Sequence, residues 1–203
     1  DAALSYAEVK ALAAGNPMIK EKMDLDIQVA RLKTLKTAYN NEHYRLEDAI
    51  TQEFPAEMRK TAQQLENAKA DTALLQQNTK HDADGKDIFA ITLMDTIYTK
   101  REDAGKALLG LLGMAMNRTE PVSIGRYKGF DLQIAYFAMG KMYLAYLVGS
   151  GINPVQLGED AVGNTMRLDN CLHNLPQSVN DLESKLMQLQ KQLENAKEQL
   201  AQP

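Results

Sequence analysis

The stretch PMIKEKMDLDIQVARLKTLKTAYNNEHYRLEDAITQEF, residues 17–54, decides the fold class. Met18, Leu25, Leu32, Tyr39 and Leu46 recur every seven residues, and Val29, Leu35 and Ile50 widen the stripe. A seven-residue apolar repeat of this length predicts a coiled-coil seam on one long helix. At 1.5 Å per residue that helix is roughly 57 Å long, too long for a compact globule of this size. Upstream, Ser5 and Glu8 have capping-box spacing, Gly15 supplies a left-handed stop, and Asn16-Pro17 opens the long helix with a cap and a first-turn proline.

Downstream, Pro55 predicts a break. Met58, Ala62, Leu65, Ala68, Thr72 and Leu75 give the next segment a weaker apolar face. The tight Phe54-Pro55 join predicts that the two helices fold back as an antiparallel hairpin. The C-terminal segment repeats the theme: Leu175, Val179, Leu182, Leu186, Leu189, Leu193, Ala196 and Leu200 alternate spacings of four and three. Its seam predicts packing on the same stalk or on a second chain. The hexapeptide QLENAK occurs at 64–69 and 192–197 and reads as a shared solvated coil surface.

Between Lys80 and Asn174 the texture changes. After a polar turn at His81–Asp87, Phe89, Ile91 and Leu93 alternate as a strand does. Thr99 and Glu102 have capping-box spacing ahead of a helix with Ala104, Ala107, Leu108, Leu111 and Leu112 on one side. Strands around 122–124, 132–137, 142–148 and 152–157 follow, separated by glycines, and Asn164 is placed to cap a helix ending at Leu172. The predicted class is mainly α with a small α+β domain: long antiparallel coiled-coil helices bearing an inserted antiparallel sheet with two packed helices. The predicted segments are a connecting helix (1–16), a long helical hairpin (17–79), the α+β domain (80–175) and a C-terminal coiled-coil helix (176–203).

A net charge of -4 argues against a surface that coats nucleic acid by bulk charge, and leaves room for a local basic patch. The single cysteine, Cys171, allows no internal disulfide. No apolar run is long enough for a membrane span, no signal peptide is visible, and a chain opening on Asp1 reads as part of something longer. Gly105-Lys106 lacks the glycine and hydroxyl that a phosphate loop requires, since Lys100 and Ala107 stand there. Asp82, Asp84, Gly85 and Asp87 lack the third ligand and distal Glu of a calcium loop. Cys171 and His173, two apart on a helix, do not share a face. No catalytic, cofactor-binding or metal-binding residues are assigned. Two basic features remain as candidate nucleic-acid contacts: Arg31, Lys33 and Lys36 in an acid-free stretch from Ile27 to Asn41, and Arg126-Tyr127-Lys128 between Gly125 and Gly129. A turn that projects two cations and an aromatic ring can hold phosphates and stack on a base.

Several of these segments also carry a resemblance. SYAEVKALAAGNP (5–17), KEKMDLD (20–26), RLKTLK (31–36), YRLED (44–48), REDAGKAL (101–108), IGRYKGF (124–130) and LGEDAVGNTMRLDN (157–170) occur in collinear order. In that order the chain resembles the very large helicase–methyltransferase polyproteins of bacterial conjugative elements and phages. Within them it is similar to the region that follows the second motor lobe of a Swi/Snf-like superfamily-two helicase. The resemblance implies a bacterial cytoplasmic parent that binds ATP and acts on DNA, with the remainder of that parent as partner. It transfers no catalysis: the Walker, Asp-Glu-x-x and arginine-finger motifs and the methyltransferase motif have no matching positions. The expectation is a non-catalytic accessory module that positions the motor or contacts DNA or a partner domain. The alternative is a coiled-coil interaction or self-association module without DNA contact.

Overall fold

The computed structural model describes residues 9–10, 14–15 and 17–201. The Ser5–Glu8 capping pattern and Asn16 lie outside the described residues. The chain divides into two compact units, Asp1–Pro55 with Lys191–Pro203, and Ala56–Gln190.

The first unit is dominated by helix α1, Pro17–Asp48, preceded by Gly15 at φ 72°. No residue of α1 is buried. Its heptad positions Leu25, Leu32 and Tyr39 are 53%, 63% and 57% exposed. The end of the C-terminal helix reaches only one end of α1. There Gln199 and Leu200 line a shallow cleft with Tyr39, Glu42, His43 and Leu46.

The hairpin expected at Phe54-Pro55 does not form. Helical backbone runs without interruption from α1 through a π turn, Ala49–Glu53, into α2, Phe54–Asn78. The π turn accounts for the tolerated proline. The Phe54 N–H donates to the Ala49 carbonyl, five residues back. A widened turn just before Pro55 makes room for a ring that would otherwise clash with the preceding turn, and for its missing N–H.

In the second unit, the apolar positions of α2 turn inward as their spacing predicts, with Leu65 buried and Leu74 and Leu75 against the core. Six antiparallel strands follow: β1 Ile91–Leu93, β2 Thr96–Tyr98, β3 Val122–Tyr127, β4 Phe130–Phe137, β5 Met142–Val148 and β6 Ile152–Leu157, in the order β2-β1-β3-β4-β5-β6. Helix α3, Arg101–Leu111, sits between β2 and β3 in sequence, and α4, Ala161–His173, follows β6. One sheet face supplies Ile91, Leu93, Tyr127, Phe130, Leu132, Ile134, Ala145, Leu147 and Val155 to a core shared with Ala104 and Leu108 of α3 and Leu168 and Leu172 of α4. Alternation along the strands puts Arg126, Gln133, Leu144, Tyr146 and Pro154 on the other face, where none is fully buried. Gly105 lets α3 approach α4: a Cβ there would overlap the Ala161 carbonyl, which gives this glycine a packing role.

Two caps differ from expectation. Helix α3 is capped at Lys100, without a side-chain bond, because Thr99 is taken up in the exit from β2. Helix α4 is capped by Asp160, whose Oδ2 accepts from the Gly163 N–H at 3.0 Å. Asn164 is buried one turn further in. It accepts from the Gly158 N–H and donates to the Gly158 carbonyl, each at 2.8 Å, so its amide pairs with that residue as a neighbouring strand would.

The last helix, α5, Leu175–Leu200, follows the sequence pattern throughout. Leu175, Val179, Leu182, Leu186, Leu189, Leu193, Ala196 and Leu200 are its only residues that are not exposed. Within the second unit it runs antiparallel to α2. Leu175 shares the core with Leu74 and Leu75 at the end of α2, while Lys185 pairs with Glu57 near its start at 2.6 Å. Lys69 and Glu183 add a second pair at 2.9 Å. Both ion pairs are exposed and contribute little.

Candidate nucleic-acid interface

The turn between β3 and β4 is tighter than Gly125 and Gly129 suggest. Tyr127 pairs with Phe130, leaving a two-residue loop of Lys128 and Gly129 at φ 48° and 88°. Two successive positive φ values are those of a type I′ hairpin, which suits the twist of paired strands. Gly125 is not part of the loop. It lies within β3 beside an irregularity in register, where a Cβ would overlap the Thr92 carbonyl.

This geometry separates the three candidate residues. Arg126 is exposed on the uncovered sheet face, in register with Thr92 and Asp131. Tyr127 points the opposite way and is 1% exposed, so its ring offers no surface for a base to stack on. It packs against Phe89 with ring centroids 5.8 Å apart. The Lys128 side chain, 10% exposed, folds beneath the turn. The projecting trio expected from the sequence is thus not formed. Tyr127 completes the strand alternation that fills the core, and Lys128 meets two carboxylates.

Those carboxylates belong to a closed ionic cluster that no local spacing announces. Asp169 of α4 accepts from the Tyr127 hydroxyl and from Arg101 Nη2, and its Oδ1 lies 3.1 Å from Lys128 Nζ. Lys128 Nζ also donates to Asp87 Oδ2 at 3.0 Å, and Asp87 Oδ1 lies 3.0 Å from His81 Nδ1. Arg101 lies over the Phe89 ring, 4.5 Å from its centroid. Burial acts to raise the Asp169 pKa, but the hydrogen bonds from Tyr127 and Arg101 and the charge of Lys128 outweigh it and hold the carboxyl below its ordinary value. Burial, reinforced by the bond to Asp169, pushes the Tyr127 hydroxyl well above its ordinary range. Arg101 and Lys128 balance Asp87 and Asp169, so the cluster has no spare cation for a phosphate. Its fit is to holding α3, α4, the hairpin and the 81–87 turn together.

The other basic stretch is different. Arg31, Lys33 and Lys36 are all exposed on α1 and form no ion pair among the described residues. Lys33 and Lys36, three apart, lie on one side of the helix, whereas Arg31 turns away from Lys33.

The remaining motifs are accounted for locally. Lys106 is exposed and pairs with Glu102 at 2.6 Å. Asp82 Oδ1 accepts from the N–H groups of Asp84 and Lys86, each at 2.9 Å, which closes the acidic turn on itself. Cys171 is half-buried, and burial raises its pKa. Among the described residues no group of three or more His, Cys, Asp or Glu could hold a metal ion. No helix among them is long and apolar enough to cross a membrane. A search for relatives gave none: no family model, no curated protein and no solved structure matches the chain.

Proposed function

We propose that this chain is a non-catalytic accessory module of a mobile-element DNA helicase in the bacterial cytoplasm, acting through its helices to position the motor or hold a partner domain. In this reading α5 and the helix it lies on form an antiparallel coiled coil, and the α+β unit is a rigid head carried by it. The observation that carries the proposal is the apolar repeat of α1, more than half exposed at Leu25, Leu32 and Tyr39. Such a surface fits a protein partner. The collinear segment resemblance supports a helicase parent. The closed Asp169 cluster supports a structural use for ionisable groups that could otherwise be read as chemistry.

A second reading, direct DNA contact, is favoured by one observation: Arg31, Lys33 and Lys36 are exposed cations that form no ion pair among the described residues, on a stretch without acids. Two neutralised phosphates give a slope of about -1.8 in log K against log salt for duplex DNA.

The deciding experiment compares the parent protein with a version lacking this region. Loss of coupling between DNA binding and ATP hydrolysis, with intact basal hydrolysis, supports the positioning role. Unchanged DNA-stimulated hydrolysis refutes it. The isolated chain should neither hydrolyse ATP nor transfer methyl groups. A shallow salt-dependent DNA affinity that disappears when Lys33 and Lys36 become Ala supports the second reading.

A further inference from the structure

We infer that the free edge of β6, with the trough between it and α4, receives an extended peptide of a partner protein, which adds to the sheet as a seventh strand and sets an acidic residue against Arg167. The sheet has two edge strands, β2 and β6. β2 is three residues long, and so short an edge is a poor template. β6 has six residues. Pro154 shows which of its backbone groups are open, because a proline sits inside a strand only where its nitrogen faces out of the sheet. Two bonds agree. The Leu147 carbonyl, which accepts from the Asn153 side chain at 3.2 Å, lies on the β6 side of β5, and the Gln156 carbonyl accepts from Arg167 of α4 at 3.4 Å. Ile152, Pro154 and Gln156 therefore turn their main chain away from β5. They offer the N–H groups of Ile152 and Gln156 and the carbonyls of Ile152 and Pro154 to a further strand.

Beside this edge runs a trough. One cleft of about 390 Å³ lies between Pro154 and Val155 of β6 and Arg167, Asn170 and Asn174 of α4. At Val155 and Arg167 it meets a second, of about 440 Å³, that extends to Gly158. A strand added to β6 rests alternate side chains in this trough, so that main-chain bonds supply affinity and the trough supplies specificity. Charge selects the partner. Neither cleft is lined by Asp or Glu, and Arg167, which lines both, is exposed and forms no ion pair among the described residues. Its guanidinium lies over Gly158, where a Cβ would overlap Nη1, and reaches Asn164 Oδ1 at 3.4 Å. Of the acids that follow β6, Asp160 is taken by the Gly163 N–H and Glu159 does not pair with Arg167. A carboxylate is the ligand such a guanidinium fits. Past Asn153 and Ser178 the trough opens into a cleft bearing Asp71 and Asp181, so the acid of the peptide belongs at the Leu157 end of β6 and not at the Ile152 end. Pro154 withholds one N–H, which discourages two β6 edges from pairing with each other. The site lies wholly in the second unit and requires nothing of the helicase reading.

The test selects peptides from a random heptapeptide library displayed on phage, with the full chain as target, and then measures the selected peptides as synthetic probes. The expected sequences alternate β-branched or aromatic residues and carry an acid near one end. Such a peptide should slow amide hydrogen exchange at Ile152 and Gln156, and change Val155 little, because the Val155 N–H already lies in the ladder with β5. Gln156→Pro removes an outward N–H and spares that ladder; it should weaken the peptide about tenfold, whereas Gln156→Ala should not. Arg167→Glu should weaken it about tenfold, and exchanging the acid of the peptide for lysine should restore binding to that variant. A library that yields no binder overturns the inference, as do selected sequences of helical pattern. Affinity unchanged by both Gln156→Pro and Arg167→Glu overturns it too. A wild-type dimer in sedimentation that Gln156→Pro abolishes assigns the edge to a second copy and overturns the partner peptide. If Gln156→Pro lowers the melting temperature, the wild-type exchange pattern decides alone, and protection that misses Ile152 and Gln156 overturns the proposal.

Discussion

In α5 the eight positions that the spacing marks as apolar are the ones withdrawn from solvent. In α1, Leu25, Leu32 and Tyr39 are spaced as regularly and keep more than half of their surface exposed. The helices differ in what lies beside them. Within the second unit α5 follows α2 from Leu175 onward, and there its apolar positions are covered within the chain. Leu25 and Leu32 of α1 are not buried by any of the described residues. A heptad repeat thus states that a face needs a partner, and is silent on whether the same chain supplies it.

The widest separation between the two helices should come from charge placed on their seams. Leu189→Asp in α5 buries a carboxylate in a position 9% exposed and should destabilise the fold by about 4 kcal/mol in urea unfolding. The same change at Leu32 is the smallest effect expected, within about 0.5 kcal/mol at dilute, monomeric concentrations. Equal losses at the two sites would break the comparison.

Between these extremes, two polar anchors test whether the second unit is stable through its own contacts. Asp169→Ala removes the shared acceptor of Tyr127, Arg101 and Lys128 and should cost about 3 kcal/mol, since it strands partly buried cations. The folded state holds the Asp169 carboxyl below its ordinary value. Its contribution is therefore complete well above about pH 4 and declines as the pH falls through the folded pKa. Wild type should lose stability in that acid window, and the Asp169→Ala chain should lose less.

Asp71→Ala should cost about 2 kcal/mol. This carboxylate, 1% exposed, accepts from the Ser150 N–H at 2.6 Å, the Gly151 N–H at 3.2 Å and Asn153 Nδ2 at 3.1 Å. It ties the β5–β6 turn to α2. Chemical-shift changes confined to the second unit in both variants would sharpen the contrast with α1.

What could be read from sequence follows the range of the signal. The α5 seam and strands β3 to β6 were legible because periodicity and glycine punctuation are local. The π turn was not, because Phe54-Pro55 reads the same whether a helix ends there or widens to admit the proline. The turn at Lys128 was legible as a reversal. The placement of its side chains was not, because that depends on Asp169 and Asp87, each 41 residues away from it along the chain. One available signal was strand parity: a buried Phe130 across a two-residue loop puts Tyr127 on the same face. Asp71 shows the opposite bias, a charged residue on an apolar helix face that reads as surface until its three donors are seen.

The insertion of the sheet between α2 and α5 has a kinetic consequence. Glu57 and Lys185 meet across 128 residues of chain, and Asp71 meets Ser150 across 79. Closing such loops in an unstructured chain is entropically expensive and slow compared with forming the hairpins, whose strands are joined by loops of only a few residues. Topology therefore predicts an order of events: the β3–β6 meander, with its short connections, should form ahead of the long-range contacts that bring Leu175 back to the end of α2 and seat α5 along it. On that expectation the helix with the most regular sequence docks late, and mutations in its seam should change the unfolding rate more than the folding rate. Until it docks, its bare seam is open to pairing with the wrong helix.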